Sequence, residues 1–187
     1  MNKRHWTQIG LIAAGLAVAA CTSTSSRITT TYYNITGVTG ADLDREIATK
    51  GPLKGHALAS AAIRFVPVAI SYSESEGKCR FREVKFRIEA NVTLPRWRGH
   101  TSSDPELRTA WKFLSAYARE HEAVHVAIAE KYAGQISAEL KALPAKKDCE
   151  TLDASAERVL KRIKVEHNRE QLAFDKEEQQ RLAELFD

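Results

Sequence analysis

Cysteine is scarce in this 187-residue chain: there are three, and no two stand in a CxxC spacing. That leaves no ready-made thiolate knuckle for a metal. Long apolar runs are missing as well. The most apolar stretch, Ile9 to Ala20 (IGLIAAGLAVAA), falls short of the roughly 20 residues that a permanent membrane-spanning helix needs. Charge of one sign is not in excess either. Lys and Arg number 28 against 24 Asp and Glu; setting aside Lys3 and Arg4, which precede the apolar run, leaves 28 − 2 = 26 against 24. Without a basic excess there is no electrostatic footprint for nucleic acid, and none is expected as a partner. Internal repeats are absent, and the only low-complexity segment is Thr22 to Ser26 (TSTSS).

The apolar run has a basic start and small residues before the break at Cys21, the organisation of a secretory signal. Its end, Val18-Ala19-Ala20-Cys21, resembles a bacterial lipobox. The resemblance implies a signal peptide over residues 1–20, lipidation of Cys21, and a polar tether over 21–28 that joins a membrane-held lipid to the domain. An ordinary cleaved signal with an incidental cysteine is the alternative. Thr22 stands where an aspartate would signal retention at the inner membrane, so likeness to bacterial lipoproteins implies the periplasmic side of the outer membrane. In that oxidising compartment Cys79 and Cys149 form an even pair, and a disulfide between them is the preferred expectation. A zinc site using both thiolates is the competing one.

The remaining residues, 29–187, fit a single domain with one core. Thr29 to Thr36 (TTTYYNIT) is rich in β-branched and aromatic residues and is expected to be a strand; Ala41 to Thr49 has the pattern of a short helix stopped at Gly51-Pro52. Ile63 to Tyr72 is a second expected strand, in which Pro67 implies an edge position or a bulge. From Cys79 to Leu94 a third strand follows. Its Val84, Phe86, Ile88, Ala90, Val92 and Leu94 alternate with polar residues, which favours a small antiparallel sheet with one wet face. Ser103 or Asp104 as cap, Pro105 in the first turn and Glu106 beside it announce a helix that meets no breaker before Pro144 except Gly134, where two helices could join. Residues 151 to 186 are helical again, with Leu152, Val159, Leu160, Ile163 and Phe174 at helical spacing. Strands followed by long helices make the fold class α+β.

Within the first long helix lies His121-Glu122-Ala123-Val124-His125. Two histidines four apart stand one turn above each other, so both imidazoles can reach one ion, with Glu122 beside them. Zinc accepts imidazole nitrogens, and a catalytic site takes three protein ligands and leaves a fourth position open. Such an ion lowers the pKa of water towards about 7, and a nearby carboxylate can take the proton as the water attacks a carbonyl. The motif therefore predicts His121 and His125 as zinc ligands and Glu122 as general base. The competing reading is a chance HExxH, at roughly one per cent for six histidines in a chain of this length. Against chance stand the apolar surroundings Tyr117, Val124 and Ile128 and the slim Ala118, Ala123, Ala127 and Ala129, because polar groups on a face packed like that need a partner. Arg119, Glu120, Glu130 and Lys131 belong to the solvated face.

Several segments together resemble a known family: Tyr32-Tyr33-Asn34-Ile35-Thr36-Gly37, the strand end Thr93-Leu94-Pro95-Arg96-Trp97, the helix from Trp111-Lys112-Phe113 through HEAVH, and Cys149-Glu150-Thr151-Leu152. The chain is similar, from about Thr31 to about Asp175, to the bacterial family of predicted secreted zinc-dependent proteases, whose substrate is unknown. The resemblance implies a zinc peptidase with His121 and His125 as ligands and Glu122 as base, the HExxH helix being zincin-like. That family's pattern has an asparagine, then a tyrosine and aspartate followed by a threonine and a His-Gly. Asn168 and Phe174-Asp175 match, but Lys176 to Arg181 contains no histidine, so the resemblance leaves the third ligand unassigned. From spacing, His167 leads: it lies four residues after Ile163 and seven before Phe174, on the apolar face of the last helix. Glu170, Asp175 and Glu157 are the alternatives. His56 and His100 lie in loops and receive no role.

The expected function is zinc-dependent hydrolysis of amide bonds in a peptide or protein substrate of the envelope. By analogy with other zinc peptidases the substrate lies along an edge strand, with Val84 to Leu94 as the segment whose substitution alters turnover. A non-catalytic envelope lipoprotein, serving as a structural or interaction module, is the alternative.

Overall fold

The structure is a computed structural model and describes residues 26–99 and 104–186. The signal segment, Cys21, most of the tether and His100 lie outside the described residues. Strand β1 (Arg27–Thr36) leads into helix α1 (Gly40–Lys50) and a one-turn α2 (Pro52–Gly55); strands β2 (Ser60–Ser75) and β3 (Lys78–Arg98) precede helices α3 (Pro105–Lys141) and α4 (Cys149–Phe186). The class is α+β, a three-stranded sheet followed by long helices.

β3 is the central strand. β2 pairs with it antiparallel, through the turn that β3 follows directly, but β1 pairs with it parallel, Arg27 opposite Glu89 through Thr36 opposite Arg98. The sheet is therefore mixed rather than antiparallel. Alternation along β3 shows which face is buried but says nothing of the direction of a neighbour, and β1 reaches its place only after an intervening helix. Pro67 satisfies both options: β2 is an edge strand, and a bulge falls between Pro67 and Ala69. A second irregularity sets Ser71 opposite Glu83 but Tyr72 opposite Phe81, so Arg82 is the extra residue and both Phe81 and Val84 turn inward.

The inward face of β3, from Cys79 to Leu94, packs against a stripe on α3 made of Val126, Ala129, Tyr132, Ala133, Ile136 and Leu140, and against Leu152, Ala156 and Ile163 of α4. The three alanines bring helix and sheet close. Val124 lies off this stripe and is exposed, so the core-facing phase of α3 differs by about half a turn from one centred on Val124. A smaller cluster of Ile35, Leu43 and Trp97 fastens α1 to the opposite end of the sheet, and the Trp97 indole donates to the Gly37 carbonyl at 3.0 Å.

α3 runs unbroken through Gly134. Its start is fixed by the Asp104 carboxylate, which accepts from the Glu106 backbone N–H at 2.9 Å, with Pro105 in the first turn. Asp148 does the same for α4, accepting from Thr151 N–H at 2.7 Å. Cys79 and Cys149 form a disulfide, and the adjacent backbone of Cys79 and Lys146 exchanges two hydrogen bonds of 2.8 Å, so the first turn of α4 is tied to the first residues of β3. Contacts between α3 and α4 run from Glu139–Arg162 through Lys131–Glu170 and His125–Gln171 to Tyr117–Glu178, which makes the two helices antiparallel neighbours. Among the described residues no helix is long and apolar enough to cross a membrane.

Candidate metal centre

Two helices that pass each other in opposite directions meet rung by rung, and the HEAVH rungs of α3 meet residues 167 to 178 of α4. Asp175 comes directly to the two histidines. His125 Nε2 lies 3.1 Å from His121 Nε2 and 3.0 Å from Asp175 Oδ1, and His121 Nε2 lies 3.4 Å from the same oxygen. Two ligands held tetrahedrally about 2.1 Å from one ion are themselves about 3.4 Å apart. The three atoms thus form a triangle of the size a small divalent cation needs on one side, with its fourth direction left to solvent or substrate. Two imidazoles and one carboxylate are also the donor set of a catalytic rather than a closed structural zinc site.

The electrostatics suit a cation. Burial, and the proximity of His125, push the His121 pKa down against the opposing pull of Asp175 and Glu178, which favours the neutral, ligating imidazole. Phe174 lies 4.8 Å from the His121 ring and edge-on to His125 at 5.1 Å, shielding both from one side.

Glu122 occupies a position of the core stripe, four residues from Ala118 and four from Val126, and only 4 % of it is exposed. One of its carboxylate oxygens, Oε2, has no hydrogen-bond partner. A buried unpaired carboxylate is costly. Burial above all, and Asp175 besides, raise its pKa, while His125 works the other way. The outcome is a carboxylate with a raised affinity for a proton, facing the same cleft as the histidine pair.

The remaining predicted residues fall elsewhere. His167 is buried, and its nitrogens contact Gln171 Nε2 at 2.9 Å and Asn168 Oδ1 at 3.1 Å; it is not brought into the triangle. Asp175 stands there instead, two turns further along α4. Glu170 is engaged by Lys131 and by the Tyr132 hydroxyl at 2.8 Å. Glu157 is exposed and eighteen residues before Asp175, about 27 Å along the helix at 1.5 Å per residue. Gln171, which receives no role from sequence, contacts the His125 ring at Nδ1 and donates to the His125 carbonyl at 3.0 Å. The signal was present: His167, Gln171 and Asp175 form an i, i+4 ladder down one face of α4.

A cleft of about 930 Å³ opens over the triangle. One wall is α3 and α4, with Tyr117, His121, Glu122, His125, Gln171 and Asp175; the other is residues 56–63, which include the first residues of β2, and so His56 lines the cleft as well. β2 pairs with β3 on one side only, so its other edge is unpaired among the described residues. The segment before it is anchored by the Tyr33 hydroxyl, which donates to the Leu58 carbonyl at 2.7 Å. The strand at the cleft is therefore β2 over Ser60–Ile63. Val84 to Leu94 lies on the central strand and contributes no residue to the lining of the cleft; it is paired on both sides from Glu89 to Thr93.

A family model described as "Bacterial protein of unknown function (DUF922)" matches residues 30–181. The chain belongs to this family. The match begins within β1 and reaches the last turns of α4, so it contains β2, β3, the disulfide and every residue of the triangle. No curated protein and no solved structure gives a significant match.

Proposed function

We propose that this DUF922 chain is a zinc-dependent peptidase held on the periplasmic side of the bacterial envelope by lipid on Cys21. One observation carries the reading: the 3.0 to 3.4 Å triangle of His121 Nε2, His125 Nε2 and Asp175 Oδ1, beside a buried carboxylate with an unpaired oxygen, at the floor of a cleft edged by a free strand. Zinc, when bound, supplies electrophilic polarisation of a carbonyl and makes water a stronger acid at neutral pH.

The chain's own groups do the rest. His121, His125 and Asp175 hold the ion on one side and leave the other open. Glu122 takes the proton of the attacking water and passes it to the leaving amine; its raised pKa matches that shuttle better than a solvent-exposed glutamate would. An extended peptide adds to the unpaired edge of β2 over Ser60–Ile63, which sets its backbone parallel to the cleft and its scissile carbonyl over the triangle. Apolar side chains of Ala59, Ala61 and Ile63 line that wall. The envelope setting is supported by the lipobox-like Val18-Ala19-Ala20-Cys21 and by a disulfide of the kind that forms and persists in oxidising compartments.

The test is cleavage of a mixed peptide library by zinc-loaded protein beside Glu122→Gln. Hydrolysis by the parent and its loss in a variant that keeps its zinc support the reading. Parent protein that holds zinc and cleaves nothing, across peptides and denatured proteins, would favour the non-catalytic envelope module.

A further inference from the structure

The buried His167 is used by neither the triangle nor the proton shuttle, yet it is joined to His125 through one side chain. Gln171 lies between them, and its orientation follows from chemistry alone. A backbone carbonyl can only accept, and the Gln171 amide atom 3.0 Å from the His125 carbonyl must therefore be its NH2 group. The amide oxygen is then the atom that meets His125 Nδ1, so Nδ1 carries the hydrogen and donates it. With the proton held there, the neutral ring leaves Nε2 without a hydrogen, so that Nε2 and the acceptor-only Asp175 carboxylate face each other at 3.0 Å with His121 Nε2 beside them, a contact that a cation between them would relieve. The second hydrogen of the NH2 group goes to His167 Nε2 at 2.9 Å, which puts the His167 hydrogen on Nδ1, donating to Asn168 Oδ1 at 3.1 Å. The His167 ring is itself fixed, edge-on to Phe65 at 5.1 Å and to Tyr132 at 5.5 Å.

We infer that Gln171 and His167 are positioning residues: together they lock His125 into the tautomer that presents Nε2 to a metal, and His167 is not itself a ligand. The inference rests on the metal-centre reading for its consequence, although the lock is a property of the metal-free chain. Partners one step behind a ligating histidine fix ring and tautomer, and their loss typically costs about 10- to 100-fold in metal affinity. Reversing the Gln171 amide would set two oxygens against each other at the His125 carbonyl, and that contact fixes its orientation.

Two readouts test this. The first is the imidazole ¹⁵N spectrum of metal-free, full-length protein at pH 8, assigned with His125→Gln and His167→Phe. His125 and His167 are expected to carry hydrogen on Nδ1, and Gln171→Leu to release His125 towards the Nε2–H form that imidazole prefers in water. The second is zinc affinity by chelator competition. Gln171→Leu should bind one zinc per chain about 10- to 100-fold more weakly, Gln171→Glu, which keeps an acceptor for Nδ1–H but loses the donor to the His125 carbonyl and to His167, should recover only part of the loss, and His167→Phe, which keeps the ring packing, should weaken binding without changing its stoichiometry. A bare His125 Nδ1 in the parent overturns the lock, as does abolition of zinc binding by His167→Phe, which would make that residue a ligand. If the parent binds no zinc at all, the metal-centre reading fails while the nitrogen spectrum still decides the lock.

Discussion

Replacing Asp175 separates a metal ligand from a residue that merely stabilises the fold. Its side chain is 47 % exposed and its partners are two histidines, whose attraction for it depends on their being charged. In the metal-free chain at pH 8 that leaves an exposed contact worth at most about 1 kcal/mol. With metal the sum changes. Four-ligand zinc sites bind with about 10 to 16 kcal/mol, so one protein ligand accounts for about 3 to 4 kcal/mol, or roughly a hundred- to a thousand-fold in affinity. Asp175→Ala should accordingly lose that factor in chelator competition, while urea unfolding of the metal-free protein moves by less than about 1 kcal/mol. Asp175→Asn keeps the shape and one weak oxygen donor and should fall between. If Asp175→Ala binds zinc as tightly as the parent, the triangle is not the site.

Three further outcomes follow from groups already described. Glu122→Gln should stabilise the metal-free chain at pH 8 by about 1 to 2 kcal/mol, since it removes a charge buried without a full set of partners. The sign follows from the raised pKa: stability held by the protonated carboxyl is complete below the unfolded value near 4.5 and is lost as pH rises through the folded one. The gap between variant and parent should thus close on going down to about pH 4.5, and urea unfolding at the two pH values measures it; a gap that does not change with pH would rule out the raised carboxyl. His121 and His167, both shifted down by burial, act in the opposite sense, and stability should fall in both proteins as pH drops below about 6.5. Reduction of Cys79–Cys149, which joins residues 70 apart, should cost about 4 kcal/mol in the chain-entropy limit. Cys149 is 26 residues from Asp175, about 39 Å along α4, so zinc affinity of reduced but still folded protein should stay within a few-fold.

What could be seen in the sequence was what local spacing encodes. HEAVH fixes His121, Glu122 and His125 on one side of one helix whatever surrounds it, and the alternation from Val84 to Leu94 names the core face of β3. The cap at Ser103 or Asp104 marks where the first long helix begins, and the two cysteines outside the N-terminal segment had each other as partner. Longer-range relations were not encoded that way. The threonine-rich β1 has no strict alternation, and its parallel pairing depends on a chain path around α1 and β2. The choice between His167 and Asp175 was of the same kind. They lie on one face of α4, eight residues and about 12 Å apart, so the axial stagger of α4 against α3 decides which rung meets the histidines. That stagger is set by how both helices pack on β3, with the disulfide pinning one end, and neither helix carries it alone. Glu122 shows the converse: in type a surface residue, in the fold a member of the core stripe, where one of its oxygens has no partner.

The most direct measurement is a crystal structure of protein supplied with zinc, with diffraction recorded on both sides of the zinc absorption edge. The expected result is one anomalous peak per chain, about 2.0 to 2.2 Å from His121 Nε2, His125 Nε2 and Asp175 Oδ1, with His167 and Gln171 behind it. A peak bound by His167 in place of Asp175, or no peak at HEAVH while zinc occupies another part of the chain, would contradict the centre described above.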